Sequence, residues 1–152
     1  MKKLWIGLAI LILALLFSAC TDADDRVADE GDVVEISERF FITGWENIHL
    51  NAAQYIGRTI RYEGMFRTLQ WPDTNEDFYK IYRYVPGCCS PDDSQSIGFI
   101  VDLNNIDPLE NNTWVEVTGT LEVYERNAVP RLRVNVTNLT QPAVRGAEFV
   151  TQ

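Results

Sequence analysis

Hydrophobic residues follow four different patterns along the chain. From Leu4 to Phe17 they are continuous, behind the basic pair Lys2-Lys3 and ahead of the small pair Ser18-Ala19. A basic start, an apolar middle and a small-residue end form the layout of a secretory signal segment. The stretch falls short of the roughly 20 residues that a membrane-spanning helix needs, so export is expected in place of a transmembrane anchor. From Thr21 to Asp32 the run TDADDRVADEGD is acidic and nearly devoid of large apolar residues. Such a segment cannot bury enough surface to fold alone, and it predicts a flexible tether over 20–36. Its acids lack the loop spacing that cages calcium.

Between Ser37 and Ile56 the period changes. Phe40, Phe41, Trp45, Ile48, Ala52, Tyr55 and Ile56 recur mostly at spacings of three and four, as one face of a helix requires. Ser37 is the expected N-cap and Gly57 the expected stop, with a break at Thr43-Gly44, giving one interrupted helix or two short ones. The aromatic stripe is read as core. Beyond Thr59 the apolar positions alternate, predicting strands over 59–66, 78–85, 114–124 and 131–136. The run from Ile97 to Leu103 is more continuous and suits a strand buried on both faces. Gly119 marks a bulge or bend, and a turn is expected from Asn127 to Pro130. Five strands with a Gly-marked bend predict a mainly β fold, a five-stranded OB-like barrel with the helical segment over one barrel end or a sheet face. The expected organisation is a signal segment over 1–19, the tether over 20–36 and the barrel domain over 37–152.

Charge narrows the range of partners. The 152 residues include 13 basic and 22 acidic side chains, and loss of residues 1–19 removes Lys2 and Lys3 but no acid, leaving 11 against 22 and a formal charge of -11. That balance repels nucleic-acid phosphates, so no nucleic acid is expected as a partner. Arg126, Arg131 and Arg133 with Tyr62, Phe78, Tyr82 and Tyr84 would make a stacking platform in a basic OB domain. In this acidic, exported chain the aromatics are read as core and the arginines as a solvated strand face. There is no C-x-x-C pair, no G-x-S-x-G elbow and no histidine beside a nucleophile in sequence, so an enzyme is not expected. His49, the only histidine, is expected at the surface or as a cap.

The most unusual local feature is VPGCCSPDD over 85–93. Pro86-Gly87 suits a type II turn at the end of a strand. Cys88 and Cys89 then have three open states. They can close a vicinal disulfide, strained because adjacent Cα atoms lie about 3.8 Å apart against a usual disulfide range of about 4.4–6.8 Å. Both thiolates with Asp92 or Asp93 can bind zinc or another thiophilic ion, with His49 as a distant fourth candidate. Or they can be partly buried cysteines without a special role.

Two resemblances extend this picture. Leu16-Phe17-Ser18-Ala19-Cys20 resembles a bacterial lipoprotein signal, although Phe17 stands where an aliphatic residue is usual. The resemblance implies that Cys20 is acylated, with a palmitate-type chain, and holds the mature protein to membrane lipid on the extracytoplasmic face. From about Phe40 to Pro142 the order of features is similar to the C-terminal domain of the YcgQ-like family, bacterial membrane proteins usually encoded beside a permease-like partner. It is carried by Tyr55-Ile56-Gly57-Arg58-Thr59-Ile60, Glu63-Gly64-Met65-Phe66, Arg83-Tyr84-Val85 ahead of Cys88-Cys89, Ile97-Gly98-Phe99, and Trp114-Val115-Glu116-Val117-Thr118-Gly119-Thr120. This resemblance implies an OB-like barrel, an accessory role beside a membrane permease and a link to zinc-responsive operons. Family members carry membrane helices where this chain has its signal segment. A thiol-redox protein using Cys88 and Cys89, and a structural envelope lipoprotein, are the alternative functions.

Overall fold

Alternating buried and exposed positions run through five long strands in the computed structural model, which describes residues 29–30, 33–87 and 94–151. They are β3 (Thr59–Gln70), β4 (Asp77–Val85), β5 (Gln95–Asp102), β6 (Trp114–Arg126) and β7 (Val129–Thr140). Ahead of them stand β1 (Asp29–Glu30), β2 (Val33–Ile36), a 3-10 turn over Glu38–Phe40, helix α1 (Phe41–Leu50) and the single helical turn α2 (Ala52–Tyr55). The long strands are hydrogen-bonded in the order β3-β4-β5-β7-β6, and β6 returns to β3, so the sheet closes on itself. The fold is the expected five-stranded OB-like barrel.

Closure depends on β3 changing partner along its length. Thr59 to Met65 pairs with β6, and Met65 to Gln70 pairs with β4. β2 runs parallel beside the first half of β3. At the far end of β4, Tyr84 donates its N–H to the Glu148 carbonyl and accepts from Val150 N–H, both at 2.9 Å. Each half-strand that leaves its barrel neighbour thus gains another edge partner, and its backbone polar groups stay paired. Phe66, Ile81, Phe99, Val115, Val117, Leu121 and Val134 fill the interior, and α1 covers one end with Phe41 and Ile48. Burying each such side chain contributes about 1.5–3 kcal/mol.

Five expectations change in detail. The sheet includes part of the stretch expected as tether over 20–36, because Val34 and Ile36 alternate with polar neighbours and bury against β3. The rest of that stretch apart from Asp29–Glu30, and the signal segment over 1–19, lie outside the described residues. Helix α1 runs straight through Thr43-Gly44 and breaks at Asn51 instead. Gly44 is buried, and a Cβ there would sit 3.0 Å from Ile36 Cγ2, so its small size lets the helix settle on β2. Ser37 precedes the 3-10 turn without a side-chain capping bond, while Gly57 ends the helical segment at φ +85°. Strand β5 buries one face only: Phe99 and Val101 point inward with Ile97 packed beside them, whereas Ile100 on the other face is half-buried. The last hairpin turns on Asn127 and Ala128 alone, at φ +52° and +59°, so β7 already includes Pro130. Gly119 sits at the β6–β7 register shift, as a bulge there requires. Among the described residues no helix is long and apolar enough to cross a membrane.

Candidate functional site: a groove at the open seam of the barrel

Strands β5 and β7 are parallel neighbours over only three residues, Ile100–Asp102 against Arg133–Asn135. Upstream of that contact the two strands splay. Gly98 shapes the β5 side: its φ is +152°, and a side chain there would run into the backbone of Ile81 and Tyr82 on β4. Side chains satisfy the carbonyls that the splayed β5 edge would otherwise leave open. Trp45 Nε1–H on α1 donates to Gly98 at 3.1 Å, and Lys80 Nζ donates to Ser96 at 2.8 Å.

The seam holds a groove of about 660 Å³. Phe99 lies at its inner end, where the His49 ring stacks on it with centroids 5.2 Å apart and planes at 20°. His49 Nδ1 must carry a proton, because it donates to the Trp45 carbonyl at 2.8 Å. Leu69, Ile100, Val123 and Leu132 supply apolar walls. The outer end is Trp71, stacked on Phe78 at 4.1 Å and 24°. Guanidinium groups lie over the Trp71 ring at 4.2 Å from Arg126 and 5.5 Å from Arg131.

Trp71 is held in place by a clasp between two loops. Arg126 pairs with Asp73 at 2.6 Å and with Glu76 at 3.6 Å, and Asn127 Nδ2 donates to Asp73 at 2.9 Å. The Asn127 amide first, and Arg126 next, pull the Asp73 carboxyl down to about 2. The β3–β4 and β6–β7 loops joined in this way are the ones that flank the ligand face of an OB barrel.

Charge is segregated along this face. Among the described residues the groove is lined by Lys80, Arg131 and His49 and by no carboxylate. Lys80 is the only lysine after Lys3; burial pulls its pKa down, and nearby Arg67 adds to the effect. An adjoining chamber of about 500 Å³ shares Trp71, Phe78 and Ile100 but brings in Asp77, Asp102 and Asp107. Arg133 in that chamber is neutralised by Asp102 at 2.8 Å and Glu122 at 2.6 Å. Tyr124 also lines it, and its buried hydroxyl has no hydrogen-bond partner among the described residues.

The residues singled out from the sequence fall in three groups. Cys20, Cys88, Cys89, Asp92 and Asp93 lie outside the described residues; the flanking Val85 and Gln95 pair at the end of the β4–β5 ladder away from Trp71. Among the described residues no three His, Cys, Asp or Glu side chains are placed to hold a metal ion. His49 is exposed, as expected, but belongs to the groove. Tyr62 and Tyr82 are core, as expected, and burial raises the pKa of both, Tyr82 to about 12. Phe78 is not core, because its position on β4 faces outward and Trp71 covers it. Of the three arginines read as a solvated face, Arg126 and Arg133 are ion-paired and Arg131 is exposed.

Trp71, Lys80 and the apolar walls escaped the sequence reading. Their signals were a tryptophan in a turn-rich stretch, Trp71-Pro72-Asp73, and a lone lysine amid aromatic residues.

A search of the curated proteins found no match. The sequence model of the family described as the DUF1980 C-terminal domain matches residues 18–145, in keeping with the YcgQ-like resemblance. Because that match spans the barrel, both loops of the clasp and the whole groove, the chain belongs to the DUF1980 C-terminal domain family.

Proposed function

We propose that this protein is a membrane-tethered extracytoplasmic binding module, acylated on Cys20, which holds a small ligand in the seam groove and serves a permease-like membrane partner. The groove carries the reading. Its volume of about 660 Å³ falls within the roughly 300–1,000 Å³ of small-molecule sites, and like them it is mostly apolar with few polar groups. Strand addition by a peptide is a poorer fit. The Ser96 and Gly98 carbonyls already accept side-chain hydrogen bonds, and Pro130 on the facing strand has no N–H to offer. The mature charge of -11 argues against nucleic acid. Binding without catalysis is the simpler role, since among the described residues Lys80, His49 and Arg131 line the groove with no carboxylate in its lining to share a proton.

The accessory role rests on family membership, the permease partner on the YcgQ-like resemblance alone, and the anchor on the signal-like segment ending at Cys20. A zinc-linked role for Cys88, Cys89 and Asp92 or Asp93 would be a separate property of the β4–β5 connection. Intact mass of the native protein with and without zinc, against Cys88→Ser, tests that extension: a metal lost on substitution supports it, and a metal-free protein removes it. The groove itself is tested by a thermal-shift screen of aromatic fragments against the wild type and Ile100→Glu. Fragments that stabilise only the wild type support the reading, whereas equal shifts in both proteins would oppose it.

A further inference from the structure

Acidic side chains outnumber basic ones 22 to 13, yet no described carboxylate lines the seam groove, where Lys80 and Arg131 stand. Two of the neighbouring cations are already compensated: Arg126 by Asp73 and Glu76, Arg133 by Asp102 and Glu122. Arg131 makes no ion pair among the described residues and is exposed, with its guanidinium held near the Trp71 ring. Lys80 spends two of its three donor positions on the Ser96 carbonyl and hydroxyl, at 2.8 and 3.3 Å. Neither of those partners is charged. The acids of this face gather in the adjoining chamber, around Asp77, Asp102 and Asp107. A ligand with a negative end is therefore attracted to the seam groove and repelled from the chamber beside it.

We propose that the seam groove binds a small amphipathic anion, a flat apolar body lying against Trp71 and Phe78 with one carboxylate paired to Lys80 and Arg131. The inference rests on the groove being a ligand site, and it adds the ligand's charge and shape. Phe78 covers one face of Trp71 and guanidinium groups lie over its ring, so the stacked pair meets a ligand ring through its aromatic edges, an edge-to-face contact. Leu69, Ile100, Val123 and Leu132 enclose the body of the ligand without offering it polar partners. The net charge of the protein repels anions at long range, so the attraction is short-ranged and comes from these two side chains.

The test is isothermal titration of the full chain, held in neutral-lipid nanodiscs, with three probes of the same shape: 1-naphthylacetate, 2-(1-naphthyl)ethanol and 2-(1-naphthyl)ethylamine. The carboxylate is expected to bind at least about tenfold more tightly than the alcohol, as a charge-assisted hydrogen bond implies, and the amine most weakly. In Lys80→Met and in Arg131→Met, the second a change at an exposed position that leaves the core untouched, the ratio of carboxylate to alcohol affinity should shrink several-fold. Equal binding of all three probes would overturn the charge inference and leave the groove reading standing. Failure of every probe to bind would overturn both. Binding to phosphatidylglycerol vesicles with no affinity for free naphthylacetate would replace the small ligand with a lipid surface and overturn the inference as well.

Discussion

Removing Glu38 should destabilise the protein more than removing Arg83, although the two form one ion pair. The Arg83 side chain is 1% exposed; its Nε–H donates to the Glu63 carbonyl at 2.8 Å and a terminal nitrogen donates to Glu38 Oε2 at 3.2 Å. Phe41 and Trp114 lie at 5.0 and 4.8 Å from its guanidinium carbon. Glu38 is 51% exposed and also accepts from Ala147 N–H at 2.8 Å, tying the C-terminal segment to the barrel. Glu38→Ala leaves a buried cation whose nearest other carboxylate, Glu63, stands 4.0 Å away, and it frees the Ala147 N–H. Breaking a fully buried pair from one side costs about 3–5 kcal/mol, and the partial hydration of this one brings the expectation to about 2–3 kcal/mol. Arg83→Met leaves Glu38 hydrated and refills the slot between two aromatic rings. Its main loss is the partner of the Glu63 carbonyl, about 1–2 kcal/mol. The double variant should cost no more than Glu38→Ala alone, because no buried charge is left behind. Urea titration followed by tryptophan fluorescence, with the slope unchanged, measures all three. Arg83→Met costing as much as Glu38→Ala would refute the reasoning.

Three further outcomes are expected. Ala128 occupies a turn position at φ +59° that glycine adopts freely, so Ala128→Gly should raise stability by about 0.5 kcal/mol, read as a higher urea midpoint. The Asp73 carboxyl is lowered from 3.8 to about 2, so the stability it lends the loop clasp is fully present above about pH 4 and is lost as pH falls through about 2. Carboxyl carbon NMR should place its midpoint near 2, and Arg126→Met should move that midpoint upward. Cys20→Ser should shift the protein from the membrane to the soluble fraction of its host; retention in the membrane would argue against an acyl anchor.

The barrel was legible because its strands obey a period of two over many residues, and Gly119 announced the register shift that lets β6 and β7 curl. Glycine is a weak helix former and favours a break at Thr43-Gly44, but tertiary packing against Ile36 overrides that preference. The groove was harder to see for a specific reason. The apolar run from Ile97 to Leu103 read as a strand covered on both sides, whereas Ile100 is apolar because the outer face of β5 is part of the groove wall. Phe78 misled in the same way: on a strand an aromatic facing a groove has the same sequence signature as one facing the core. The β3–β4 hairpin brings Trp71 near Lys80, but only the closure of the barrel brings Arg131 to them.

The most direct test of the account is an amide and indole NMR titration of the protein with 1-naphthylacetate. The account predicts saturable shifts at the Trp71 and Trp45 indole N–H groups, the Lys80 and Gly98 amides and the Arg131 side chain, with Tyr84 and Val150 at the far end of β4 unmoved. Shifts confined to that far end, or no saturable shift at any site, would contradict it.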